Sequence, residues 1–281
     1  MKRVLVGMDG SGGSIDALVW AAQFARGCGA EVVAVAAFQR AQAELSPTDA
    51  EELRFNQERI LATKRVKLVA EIAPVRALAI EGDPRHVLLQ AAQAEDADLV
   101  VVGSVGARSG PGFLHLGSVA EYLAHNTTRP LAVIPAGARG PITQILLGVH
   151  GSASEQGSLL WTAEVAATLD VPVLAVSVRA ADVLGDREAQ RMESRIREWT
   201  EPIGRAGVEP TCITVAGAPP ADGLRRAADR HRADVVVVGV PTVGVISRQR
   251  AGGTGIQLLH HATLPTVLIP AEWQVGADAM A

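Results

Sequence analysis

The chain has little sulfur, few aromatic rings, no strong excess of either charge and no long apolar run. Its 281 residues include only two cysteines, Cys28 and Cys212, in unrelated local contexts. Two such thiols exclude a disulfide framework and a cysteine-based zinc site. Aromatics supply 3% of the sequence while hydrophobic residues reach 48%. A core must therefore be built from Ala, Val, Leu and Ile, which suits strands buried between helices. Twenty-six Lys and Arg stand against thirty Asp and Glu, a net charge of −4. That balance argues against nucleic acid as a partner. No apolar run approaches the ~20 residues of a membrane helix. Met1-Lys2-Arg3-Val4 runs straight into a strand-like segment without the pattern of a signal peptide. The expectation is a soluble, cytoplasmic chain with no membrane partner. A length about twice the ~100–150 residues of one domain predicts two.

What is present is a repeat. Residues Arg3 to Ser11 match Gln144 to Ser152 at an offset of 141, and Trp20 and Trp161 keep that offset. Ala97 to Gly103 match Ala233 to Gly239 at 136, and Pro130 to Pro135 match Pro265 to Pro270 at 135. Small loop deletions account for the drift. The Gly/Pro stretch from Ala136 to Pro141 reads as the joint. The domains are expected at 1–137 and 142–273, with 274–281 a flexible tail. Neither half is a charged arm, at −1 for residues 1–140 and −3 for the remainder.

Within the first copy, apolar runs alternate with helical stretches. Strands are predicted at Val4–Met8, Val32–Phe38, Val75–Ile80, Leu99–Val102 and Leu131–Ile134. A helix is expected from Ser14 to Arg26. Thr48-Asp49-Ala50-Glu51 has the capping-box spacing and predicts a helix to about Ala73. Asp83-Pro84 reads as an N-cap followed by proline at the first helical position, and Ser118–His125 as a short helix. Strands this uniformly apolar, separated by helices, predict an α/β fold with a five-stranded parallel sheet covered on both faces, made twice.

Ligands of such sheets bind beyond the carboxyl ends of the strands, where the strand order reverses. Two segments fall there: Asp9-Gly10-Ser11 after the first strand, and the glycine-rich run from Gly103 to Gly117 after the fourth. Glycines let backbone N–H groups approach an anion, and Gly117-Ser118 places a hydroxyl and amides at a helix N-terminus. Asp9 would face this loop and accept hydrogen bonds from ribose hydroxyls. Taken singly, these are also ordinary turn and cap residues.

The constellation resembles the universal stress protein family over nearly the whole chain, in two tandem copies. The resemblance implies two Rossmann-like domains. Nucleotide-binding members carry Asp after the first strand and a loop of Gly, two residues, Gly, nine residues, then Gly-Ser or Gly-Thr. Here Gly103 and Gly106 keep the first gap, but ten residues separate Gly106 from Gly117. The resemblance implies a stress-response regulatory protein that binds ATP, with Mg²⁺ arriving on the nucleotide and at most slow hydrolysis. Asp9 would hold the ribose, the Val35 backbone the adenine, and Gly106, Gly117, Ser118 and Val119 the phosphates, with Gly103 opening the loop. It further implies packing of the two domains into an intrachain pseudo-dimer, possible homodimerisation, and a protein partner of unknown identity.

The second copy departs from the pattern. His150 stands where the first copy has Asp9, and Val176 where it has Val35. Gly239 and Gly244 are separated by four residues, with Pro241 between them, before Gly253-Thr254. Imidazole is a poorer ribose acceptor, and proline removes a backbone donor. A weak or degenerate second site is expected, although Gly253-Thr254 keeps a phosphate-competent form.

Other signals weigh less. Ser11-Gly12-Gly13-Ser14-Ile15-Asp16 resembles the loop of PP-loop ATP pyrophosphatases, adenylating enzymes, but Asp16 falls one position late; a strand-to-helix turn with Ser14 as cap is the plainer reading. His115, His125, His150, His260 and His261 show no metal-ligand spacing. The Asn126 sequon has no secretory context, and Arg187, Arg191, Arg195 and Arg197 alternate with acids as on a solvated helix. No nucleophile elbow is present. A scaffold protein of the same fold that binds no nucleotide is the rival reading.

Overall fold

The computed structural model describes residues 1–38, 69, 71–106, 116–138, 140–152, 155–179, 185–241, 253–271 and 273. Most of the capping-box helix from Thr48, Gly244 and the expected tail lie outside these residues; residue 69 is helical, but residues 71–73 form a turn, so that helix stops short of its expected end at Ala73. The chain divides into two compact units, Met1–Pro141 and Ile142–Ala281.

Unit one contains β1 (Arg3–Met8), α1 (Gly12–Cys28), β2 (Glu31–Phe38), β3 (Val75–Glu81), α2 (Pro84–Ala94), β4 (Leu99–Gly103), α3 (Ser118–Asn126) and β5 (Leu131–Ile134). Its strands are all parallel in the order β3-β2-β1-β4-β5. Unit two repeats the plan with β6 (Ile145–Gly148), α4 (Gln156–Leu169), β7 (Val173–Arg179), α5 (Asp186–Trp199), α6 (Glu201–Arg205), β8 (Thr211–Ala216), α7 (Pro220–His231), β9 (Val235–Val240), α8 (Thr254–His260) and β10 (Thr266–Pro270). Its order is β8-β7-β6-β9-β10, again parallel. α1 packs against β1, β2, β4 and β5, while α2 packs against β2 and against α3.

The aliphatic runs do what their composition dictates. Val4, Leu5, Val6, Val32 to Ala36, Leu99 to Val101 and Leu131 to Ile134 are wholly buried, as strands covered on both faces must be. Each such Val or Leu contributes roughly 1.5–3 kcal/mol by leaving water. β3, at the edge of its sheet, alternates half-buried with exposed residues.

Several repeated residues are structural. Gly7 and Gly148 each let a helix approach: a Cβ there would stand 3.0 Å from Leu88 of α2 or Leu224 of α7. Asp98 accepts the backbone N–H groups of Lys2 and Arg3, and Asp234 those of Thr143 and Gln144. The recurring Ala-Asp before β4 and β9 thus ties down the chain entering β1 and β6.

Candidate functional site

In unit one the strand order reverses between β1 and β4, which opens a crevice at their carboxyl ends. Asp9 follows β1 and Gly103 closes β4. The two segments meet there: a Cβ on Gly106 would stand 2.8 Å from Asp9 Oδ2. Asp9 is exposed, and its Oδ1 accepts the Ser11 N–H at 2.9 Å, which fixes the carboxylate at the mouth of the crevice.

The loop after β4 is anchored at both described ends. Ser104 N–H donates to Ile134 O at 2.8 Å, and Gly117 N–H donates to Ser104 O at 2.7 Å. The backbone returning to α3 therefore lies against the backbone leaving β4, and a Cβ on Gly117 would come within 3.5 Å of Gly106 N. Gly117 is the N-cap of α3 and has no side chain to close the helix's first amides; Ser118, its first residue, is exposed. Open amides and a hydroxyl at a helix start favour an anion. Asp9, Gly103, Gly106, Gly117, Ser118 and Val119 thus gather around one crevice. Residues 107–115, which fall within the lengthened gap, lie outside the described residues.

The N-terminus of α1 forms the floor. A Cβ on Gly103 would stand 2.7 Å from the Gly13 carbonyl carbon, and one on Gly13 would stand 2.5 Å from Val105 O. Only glycine permits this backbone contact. The cap of α1 is Ser11 and not Ser14: Ser11 is extended, and its Oγ accepts the Ser14 N–H at 3.1 Å. Asp16, the acid of the pyrophosphatase-like run, is buried and accepts the Gly137 N–H at 2.7 Å, so it secures the segment after β5.

Val35 is not at the end of its strand. β2 continues three residues to Phe38, and Val35 is wholly buried between Gly7 of β1 and Leu78 of β3. Its backbone serves the sheet. Val176 is placed likewise in β7, its carbonyl accepting the Val149 N–H at 2.9 Å. Neither offers a free backbone group to a ligand.

Beside the crevice, α2 and α3 share a polar cluster. Asp83 caps α2 and takes both a backbone and a paired side-chain bond from Arg85, with Arg85 Nη2 at 2.6 Å from Oδ2. The hydrogen bond from the Arg85 side chain, then that from its backbone, lower the Asp83 carboxyl to about 2. Arg85 lies over the ring of Tyr122, whose hydroxyl meets His86 Nε2 at 3.1 Å.

Unit two builds the same turn and fills it. Gly10 and Gly151 share a left-handed backbone, at φ 79° and 80°. At His150, however, Glu155 takes over. Its side chain, 3% exposed, accepts the His150 N–H at 2.6 Å and the Gly151 N–H at 2.8 Å, and lies 3.3 Å from His150 Nε2. The Trp199 indole seats against Gly151, where a Cβ would collide with it. Gly239 lies within β9, opposite Ile269, and Gly253-Thr254 opens an α8 of seven residues. The sequence reading passed over Glu155 and Trp199. The signal for the first was there, because Glu155 stands 141 residues after Ser14 in the repeat register.

Among the described residues no group of three His, Cys, Asp or Glu is placed to hold a metal ion, and no helix is long and apolar enough to cross a membrane.

The sequence pattern described as the universal stress protein family matches residues 1–135 and again 141–270. A universal stress protein of Mycobacterium tuberculosis is 25% identical over 278 residues, which is 96% of each chain. The crystal structure of a universal stress protein from Archaeoglobus fulgidus superposes on 96% of this chain and 98% of its own, with a TM-score of 0.76 at 17% identity. A further universal stress protein from Archaeoglobus fulgidus, solved in complex with dAMP, aligns with 45% of this chain and 97% of its own at 23% identity and a TM-score of 0.37.

Proposed function

This chain belongs to the universal stress protein family as two tandem copies, and on that premise we propose that unit one is a receptor for an adenine nucleotide, ATP. The observation that carries the reading is the approach of the Asp9 carboxylate to Gly106 at the point of strand reversal. Asp9 is the acceptor for ribose hydroxyls. The glycine backbones at 103, 106 and 117, with Ser118 and the opening amides of α3, receive the phosphates, and Mg²⁺ comes with the nucleotide. An anion held by backbone N–H groups needs no Lys or Arg cluster, which fits a chain of near-neutral charge. Contact with the base moves from Val35 to the carboxyl end of β2, at Phe38.

The nucleotide acts as a regulatory ligand of a stress-response protein rather than as a substrate. Its binding engages the loop from Gly106 to Gly117, and a protein partner reads that surface. Unit two does not bind nucleotide. Chromatography of the supernatant from denatured protein, with ATP calorimetry on wild type and Asp9→Ala, tests the reading. Released adenine nucleotide or saturable heat in wild type, lost in the variant, supports it. Absence of both leaves the scaffold reading, and AMP with pyrophosphate in the presence of an acceptor would mark an adenylating enzyme.

A further inference from the structure

We propose that Glu155 is a built-in anion occupying the second crevice, and that Glu155 with Trp199, rather than His150 alone, excludes nucleotide from unit two. The inference deepens the reading of unit one as a nucleotide site and rests on it.

The two turns correspond at their glycines and at the ends of the helices that follow. Their glycines share one backbone geometry, and the helices that follow both end on left-handed residues, Gly29 and Asp170, which stand 141 apart. Position 155 therefore answers to position 14. In unit one that place holds a small buried hydroxyl, whose Oγ donates to Ser11 O at 3.0 Å. In unit two a longer acid folds back and takes the amides of His150 and Gly151. Those donors already hold a negative charge, and the chain itself supplies it. A nucleotide set as in unit one would bring its ribose to this turn, where the amides are already bonded and the carboxylate, shielded from water, repels the phosphates that follow. Trp199 covers the Gly151 side of the turn, with the Arg195 guanidinium 5.2 Å above its ring. The His150 side chain is 68% exposed, too open to bar the crevice by itself.

The test uses the full chain and ATP. In an Asp9→Ala background, which silences unit one, and with His150→Asp supplying the ribose acceptor in unit two, calorimetry is run with and without Glu155→Ser and Trp199→Ala. The Asp9→Ala chain, weakened about 10–100-fold, is expected to hold no ATP at the concentrations that fill the wild type, and the added changes to bring back about one nucleotide per chain; in the wild-type background the count rises from about one to about two. Circular dichroism melts establish that each variant is folded. Glu155→Gln, which keeps the shape and removes the charge, replaces the serine variant if that one melts below the assay temperature. No gain of binding in the folded variants overturns the proposal. Hydrogen exchange on the wild type gives a measure free of substitution: the His150 and Gly151 amides should exchange at least ~100-fold more slowly than open amides. Open-chain rates there overturn it as well. Failure of the reading of unit one looks different, since the wild type would then bind no ATP whatever the Glu155 variants do.

Discussion

The two units spend the same turn in opposite ways. After β1, the turn through Gly10 leaves a carboxylate exposed at the crevice, and α1 opens on glycines that admit the β4 backbone. After β6, a turn of the same backbone geometry is tied to Glu155 and covered by Trp199. Scaffold residues are shared, as Gly7 with Gly148 and Asp98 with Asp234 illustrate. The difference teaches that a duplicated sheet keeps its fold through strand glycines and strand-entry acids, while a few turn residues decide what each copy can hold.

The comparison breaks most sharply at Gly106. Gly106→Val places a side chain on Asp9 Oδ2, and ATP affinity should fall at least ~100-fold, or ~2.7 kcal/mol, in calorimetry while the melt is little changed. Undiminished affinity would remove Gly106 from the site. Asp9→Ala comes next, at about 10–100-fold, with the reciprocal His150→Asp expected to gain nothing, because Glu155 stays in place. ATP binding gained by His150→Asp alone would locate the difference in that one residue. Asp98→Ala and Asp234→Ala should each destabilise the chain by about 1–3 kcal/mol, since each strands two strand-entry amides. Denaturant titrations giving clearly unequal losses would show that the scaffolds are not equivalent. The smallest effect concerns pH. Asp83 is held at about 2, below its unfolded value of ~3.9, so its contribution is complete above pH ~4 and is lost as pH falls through about 2. α7 starts after Pro219 without a side-chain cap bond and should show no matching loss. Carbon-13 titration of the Asp83 carboxyl, with a midpoint near 4 as the contrary result, checks this.

The fold was largely legible because every core strand is an uninterrupted aliphatic run and the repeat fixes the strand count. Leu131–Ile134 was readable to the residue, and Asp83-Pro84 to the cap. The adenine contact was not, because strand ends are set by pairing and not by composition: β2 runs on to Phe38 because β3 pairs with it through Glu81. Ser11 was passed over as the cap for a related reason, since Ser11 and Ser14 have the same chemistry and only the extended backbone at Ser11 distinguishes them. Asp9, Gly103, Gly106, Gly117 and Ser118 could be gathered from spacing because strand ends of a parallel sheet converge. Trp199 could not, because a side chain that reaches the turn from another helix leaves no periodic trace, and Glu155 shows only as the residue in register with Ser14.

The most direct measurement is the number of ATP molecules held by one chain, counted by native mass spectrometry over an ATP series for wild type and Asp9→Ala. The expected result is about one per wild-type chain and none on Asp9→Ala at the same concentrations. Two per chain, or one that survives Asp9→Ala, would contradict the assignment of nucleotide binding to unit one alone.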